Sequence, residues 1–275
     1  MNDIFNFKRF GTYFLYDLKQ MWRNHSKAAI FIGGSIALFY VLWVTFGLVF
    51  GQSWHAPSIE FRFGMLIIAF TILELYQART YGYLTEKRAG SAWLMVPASR
   101  TEKFVSMVLM TLVVIPVLFF VVFFGLDGIL SLVDPTYGNS LLSGFTSTYG
   151  NMVEQLSTVD MNDFPVEFSG KTFIITGIIG FFCNYLYFLL CGIVFKKNKI
   201  IFGLAIVFGL STLFSILMGI IVPVIVMNHP NLDMMESMEA ARLATGFLNG
   251  FVIFTCLLAI GHGWGVWHRI KTLQH

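Results

Sequence analysis

The sequence predicts an all-α membrane protein. Six transmembrane helices follow an N-terminal interfacial helix, and a short cytoplasmic helix lies between the second and third spans. Three observations carry that prediction. Hydrophobic residues make up 56% of the 275 and charged residues 12%, against roughly 25% charged in soluble domains. Apolar runs at 28–50, 61–78, 105–126, 172–195, 200–227 and 246–267 each approach the ~20 residues that cross ~30 Å of hydrocarbon. Finally, charge is sorted by side. With the N-terminus inside, only Arg62, Lys171 and Arg242 of the 18 basic residues fall outside, while Asp127, Asp134, Glu154, Asp160, Asp163 and Glu167 share one external loop. That is the bias of the positive-inside rule, and it puts both termini in the cytoplasm. The net charge of +3 is too small to suggest a nucleic-acid partner.

Residues 1–27 read as an amphipathic helix on the membrane surface. Phe7, Phe10, Phe14, Leu18 and Met21 recur at three- and four-residue steps, with Lys8, Arg9, Lys19 and Arg23 on the remaining surface. No short apolar core with a small-residue cleavage site precedes the first run, so a cleaved signal is not expected. The second run is the weakest, being interrupted by Glu74 and Gln77. The fifth contains Pro223, where a kink or re-entrant bend is expected. The external loop 127–171 is the largest soluble piece, with turn residues and a short helix expected near 151–158; loops of this length are usually functional or mobile. Lys196-Lys197-Asn198-Lys199 is a tight basic hairpin, too short to dock anything alone, and residues 231–244 read as an external helix leading into the last span.

The chain is organised around residues 85–105, TEKRAGSAWLMVPASRTEKFV. Glu86, Lys87 and Arg88 form a solvated cluster at the end of one helix, and Gly90 is expected to stop it. Residues 91–96 are then long enough for one or two helical turns, with Trp93 and Leu94 as the bulky apolar members. Pro97 cannot continue them, because it lacks an N–H and restricts the residue before it. Ser99, three residues before Glu102, has the spacing of a capping box, so a new helix starts there. The result is a small helix held between two spans and offered to a partner on the basic side.

Other candidate chemistry is sparse. Gly170-Lys171-Thr172 resembles the end of a phosphate loop, but Pro165 stands where the first glycine is required. No nucleotide site is encoded, so any ATP is bound by a partner. Cys183, Cys191 and Cys256 all lie in apolar runs, which argues against disulfides and against metal-ligand spacing. His262 and His268 are six apart and do not share a helix face, and Trp264 and Trp267 read as interfacial anchors. Gly246 and Gly250 form a small-residue pair suited to helix contact. Glu74 is the carboxylate within a span. At the bilayer centre it would cost several kcal/mol, by some scales ~3, so it is a candidate intramembrane polar site. Its position about one turn from Arg79, near the cytoplasmic end, favours snorkelling or a structural hydrogen bond to a neighbouring helix over that functional reading.

Glu86, Gly90 and the run Trp93-Leu94-Met95-Val96-Pro97-Ala98-Ser99-Arg100 resemble the cytoplasmic loop of ABC-2-type transporter permeases. In that family an acidic residue and a glycine precede leucine-leucine-x-leucine-proline-valine-serine-arginine. Here Trp93 stands at the first leucine position, Leu94 matches the second, and Ala98 replaces the valine. The resemblance implies a permease subunit in a bacterial inner membrane, paired with a second permease copy or a homologous one. It also implies a cytoplasmic ABC ATPase that binds the ATP, with no cofactor on this chain. Trp93 and Leu94 would enter a groove on the ATPase, with Glu86, Arg88 and Arg100 as rim charges and Gly90, Pro97 and Ser99 shaping the helix. The long loop 127–171 departs from the family, whose elaboration more often lies between the last two spans. Two other classes remain open from the residues alone: an accessory or immunity-type membrane protein, and a membrane-embedded enzyme. The substrate is unreadable beyond hydrophobic or amphiphilic.

Overall fold

The structure is a computed structural model that describes residues 5–51, 56–144, 170–228 and 237–272. Among these residues it is all-helical. The elements are α1 (Phe7–Gly33), α2 (Ser35–Val49), α3 (Ile59–Thr80), α4 (Lys87–Met95), α5 (Arg100–Leu109), α6 (Ile115–Val133), α7 (Gly170–Val194), α8 (Lys199–Asn228) and α9 (Ser237–Thr272). Four stretches are long and apolar enough to cross a membrane: Arg100–Val133, Ile175–Val194, Lys199–Leu217 and Asn249–Thr272. The bent pair α1 and α2 passes the same test as one broken span. The helix expected near 151–158 and the start of the one expected at 231–244 lie outside the described residues.

Several boundaries differ from the sequence reading, each for a local reason. The first helix does not end near residue 27. It runs to Gly33 and bends by 42° into α2. A Cβ on Gly33 would sit 3.1 Å from the Val122 side chain, so the bend falls where this helix crosses closest to α6. The third span is continuous from Arg100 to Val133. Within it Met110–Val114 is wound as a π-helix, and the Ile115 N–H reaches back to the Met110 carbonyl. Pro116 follows at once and cannot donate to a regular ladder, so the wider turn absorbs its missing bond. Because α6 continues to Val133, Asp127 belongs to a helix and not to the external loop. The last helix is uninterrupted from Ser237 to Thr272, and α8 continues through Pro223.

The core forms where α3, α6 and α7 meet. Leu73, Met107, Met110, Phe119, Phe123, Tyr185, Leu189 and Ile193 are buried in one cluster. Phe70 stacks on Phe120 and Phe181, with ring centroids 5.4 and 5.1 Å apart. Helix α7 packs most extensively against α9 and then α3, and α1 packs on α3, α5 and α6. On α9, Gly265 lets Leu190 of α7 approach, whereas Gly246 and Gly250 meet nothing within 4 Å among the described residues. A tight backbone approach lies at Gly192 of α7, where an added Cβ would sit 2.5 Å from the Ala78 carbonyl oxygen. Ala78 is fully buried, so neither backbone can yield without moving a helix. Gly192→Val should therefore lower the thermal midpoint of the detergent-solubilised protein by several degrees. The same change at Gly177, with nothing within 4 Å, should shift it little.

Candidate functional site

The segment between α3 and α5 is a braced elbow. Helix α3 ends at Thr80, a tight turn covers Gly82–Thr85, and α4 begins at Lys87 after Glu86 in extended conformation. Gly90 does not stop a helix: it lies inside α4 and is buried, so the short helix has 9 residues and begins at Lys87, before residues 91–96. The expected stop at Pro97 holds. Val96 is extended, with φ −61° and ψ 128°, as a residue before proline should be. Ser99 then caps α5: its Oγ accepts from Glu102 N–H at 3.2 Å, and the Glu102 carboxylate accepts from Ser99 N–H at 2.9 Å.

The largest departure concerns Trp93. Expected to project toward a partner, it is instead only 5% exposed and turned into the protein. Its Nε1 donates to the Tyr13 hydroxyl of α1 at 3.0 Å. Lys103 of α5 lies 4.7 Å over its ring and donates to the Trp93 and Leu94 carbonyls at 2.8 and 3.2 Å. These carbonyls lie at the end of α4, where Trp93 O accepts only a long bond from Val96 N–H at 3.3 Å, and a lysine from the next helix completes their hydrogen bonding. Trp93 is therefore a strut that fixes α4 to α1 and α5. Leu94 is half-buried against the core. The exposed positions are Glu86, Arg88, Ala92, Met95, Pro97 and Arg100. Met95, at 82% exposure, is the apolar side chain this face offers.

Behind the elbow lies a buried polar seam that periodicity did not reveal. Asp17 of α1 accepts from Tyr81 Oη at 2.8 Å and from Ser106 Oγ of α5 at 2.6 Å. Burial first, then the Asp17 carboxylate, push the Tyr81 phenol well above its ordinary range, which keeps it a donor. Glu102 does more than cap α5. It accepts a forked pair from Arg9, Nε to Oε2 at 2.8 Å and Nη2 to Oε1 at 2.7 Å, and a further bond from Asn6 N–H at 2.8 Å. The same forked bond holds the Arg9 guanidinium above its usual range. Lys199, at the start of α8, donates to the Gly82 carbonyl and to Thr85 Oγ1 at 2.9 Å. The basic hairpin thus reaches the elbow after all: the turn before α4 is tied to α8, and α4 itself to α1 and α5. Asp17 occupies the α1 face that also buries Tyr13 and Met21, four residues to either side. That four-residue spacing, with Met21 shared by the apolar stripe, is the signal the sequence holds for this seam.

The remaining candidates are dispersed. Glu74 faces α7, beside the Asn184 side chain. His262 packs on α7, with Nδ1 3.6 Å from Cys183 Sγ, while His268 lies against Trp264 at 5.3 Å. The structure therefore keeps the two histidines apart, and no metal-ligating cluster occurs among the described residues. At the far end of the molecule Arg62 and Asp127 form a buried ion pair at 3.0 Å. Comparison with protein-family models, with curated proteins and with solved structures gave no match.

Proposed function

We propose that this chain is the membrane-spanning subunit of an ABC-2-type exporter. In this reading it sits in a bacterial inner membrane with six spans and both termini in the cytoplasm. It works as a dimer, with itself or with a homologous permease, above two cytoplasmic ATPases. ATP is bound and hydrolysed on those partners, and the cargo is a hydrophobic or amphiphilic molecule. One observation carries the proposal: α4 is a short helix whose inner face is bonded to α1 and α5, with the turn before it bonded to α8, and whose outer face is left for a partner.

Such an element suits mechanical coupling. A helix loosely tethered between spans would absorb a displacement. This one is pinned by Trp93 and Lys103, and the turn leading into it by Tyr81, Asp17 and Lys199, so a push on Met95 and Arg88 is delivered to α1 and α5 directly and to α8 through that turn. Helix α3 supports its place as the second span by its surroundings. Its polar residues Arg62 and Gln77 are buried, and its 22 residues span ~33 Å at 1.5 Å per residue. The Asn6–Arg9 end of α1, fastened to Glu102 beside the elbow, is consistent with an interfacial helix on the same side.

The reading is tested by topology and by assembly. With Cys183, Cys191 and Cys256 replaced, a cysteine at Asn139 should react with an impermeant thiol reagent added outside cells. One at Ala92 should react only after permeabilisation; both positions are exposed. The purified chain alone should show no nucleotide binding, and ATP hydrolysis should appear only in the complex with its ATPase. External labelling at Ala92 would remove the proposal.

A further inference from the structure

Beside the elbow is an open cleft of about 600 Å³, lined by α1, the turn after α3, the start of α4 and the start of α8. Its polar groups are not used up by the protein. Arg79 is exposed, and its guanidinium forms no ion pair among the described residues. Lys199 gives two of its three ammonium protons to Gly82 and Thr85, leaving the third free. Gln20 and Asn24 add amides from α1, and Glu86 sits at the rim. Two cations and one carboxylate around a single cleft are a specific pattern. It complements a phosphate that carries an ammonium a few atoms away.

The cleft also has an apolar continuation. Ile200 and Ile201 line it, and Ile201 is 64% exposed. On α3, which is flanked by α1 and α8, Ile68 and Ile72 are exposed at four-residue steps above Tyr76, so an apolar stripe runs along α3 and ends at Arg79. A soluble phosphate would need the cations but not this stripe. An amphiphile uses both.

We propose that the cleft binds an aminophospholipid from the adjacent leaflet, with its phosphate on Arg79 and Lys199, its ammonium on Glu86 and its chains along α3. The site is independent of the exporter assignment, since any membrane protein with this cleft would hold the same lipid. The probe is the full chain in nanodiscs of defined composition, or in detergent with phosphatidylethanolamine, phosphatidylglycerol or diacylglycerol added. Retained lipid is read by native mass spectrometry.

Phosphatidylethanolamine should be retained at least tenfold over diacylglycerol, and Arg79→Gln should abolish most of that preference. Glu86→Gln should leave phosphate-bearing lipids bound but erase the preference for ethanolamine over glycerol headgroups. Arg79→Gln should keep the wild-type thermal midpoint, which rules out loss of fold as the cause there, and Lys199→Met, which also unties the turn before α4, should weaken retention in the same direction. Equal retention of all three lipids overturns the proposal. So does competition by millimolar inorganic phosphate, which would make this a soluble-anion site. Normal lipid retention in Arg79→Gln, combined with loss of ATPase binding, would give the cleft to the ATPase and also overturn it.

Discussion

Asp127→Ala is expected to destabilise the protein by about 3–5 kcal/mol, because it strands a buried guanidinium. Arg62 Nη1 donates to Asp127 Oδ1 at 3.0 Å, and both side chains are almost wholly shielded. Tyr137 Oη donates to the same Asp127 oxygen at 2.9 Å, and Leu141 N–H donates to the other. Arg62 Nη2 donates to the Tyr137 and Asn139 carbonyls at 3.1 and 3.0 Å, while its guanidinium lies 4.1 Å over the Tyr137 ring. The pair thus fastens the start of α3 to the end of α6 and to the turn beyond it. Remove the carboxylate, and Arg62 keeps its carbonyl partners but loses its counter-charge, while Tyr137 and Leu141 lose their acceptor. Thermal unfolding in detergent should show a large fall for Asp127→Ala and for Arg62→Leu singly. The double substitution Arg62→Leu with Asp127→Leu should recover much of the loss, since replacing a whole buried pair by apolar groups is often neutral. A double variant no better than the sum of the singles would mean that the backbone bonds, and not the ion pair, hold this corner.

That cluster also marks the limit of what the sequence made legible. Charge bias sorts Arg62 and Asp127 to the same side as an expectation and says nothing of their pairing across 65 positions. Long apolar helices, the proline boundary at Val96 and the capping box at Ser99 were legible because each is decided by residues within about four positions. Trp93 was misplaced for the complementary reason. A large aromatic in a short loop helix is equally suited to a partner's pocket and to the protein's own interior. The choice is made by Tyr13 and Lys103, one of them 80 residues away. Gly90 misled in the same manner: with tertiary contacts holding α4, a buried glycine within the helix is tolerated despite its ~1 kcal/mol cost. The elbow's existence could be read from local grammar, but which of its faces is free could not.

The free face decides the last prediction. Met95→Asp should leave folding and lipid insertion intact, because the side chain is 82% exposed and braces nothing. Placed in a partner's groove, an unpaired carboxylate replacing an apolar anchor should cost ~2 kcal/mol or more, a loss of roughly thirtyfold in ATPase affinity. Trp93→Ala should fail differently. It removes a buried aromatic, typically ~3–5 kcal/mol in a core, and leaves Tyr13 without its donor. Its thermal midpoint should therefore drop, and any loss of ATPase binding should follow from a displaced α4. Trp93→Phe separates packing from hydrogen bonding: it should recover most of the stability and most of the coupling. The two positions thus predict opposite patterns, stability without binding at Met95 and reduced stability at Trp93. Measuring copurified ATPase and thermal midpoint on the same three variants checks both. Wild-type ATPase affinity in a folded Met95→Asp protein would show that this face is not the docking surface, and the coupling role of α4 would go with it.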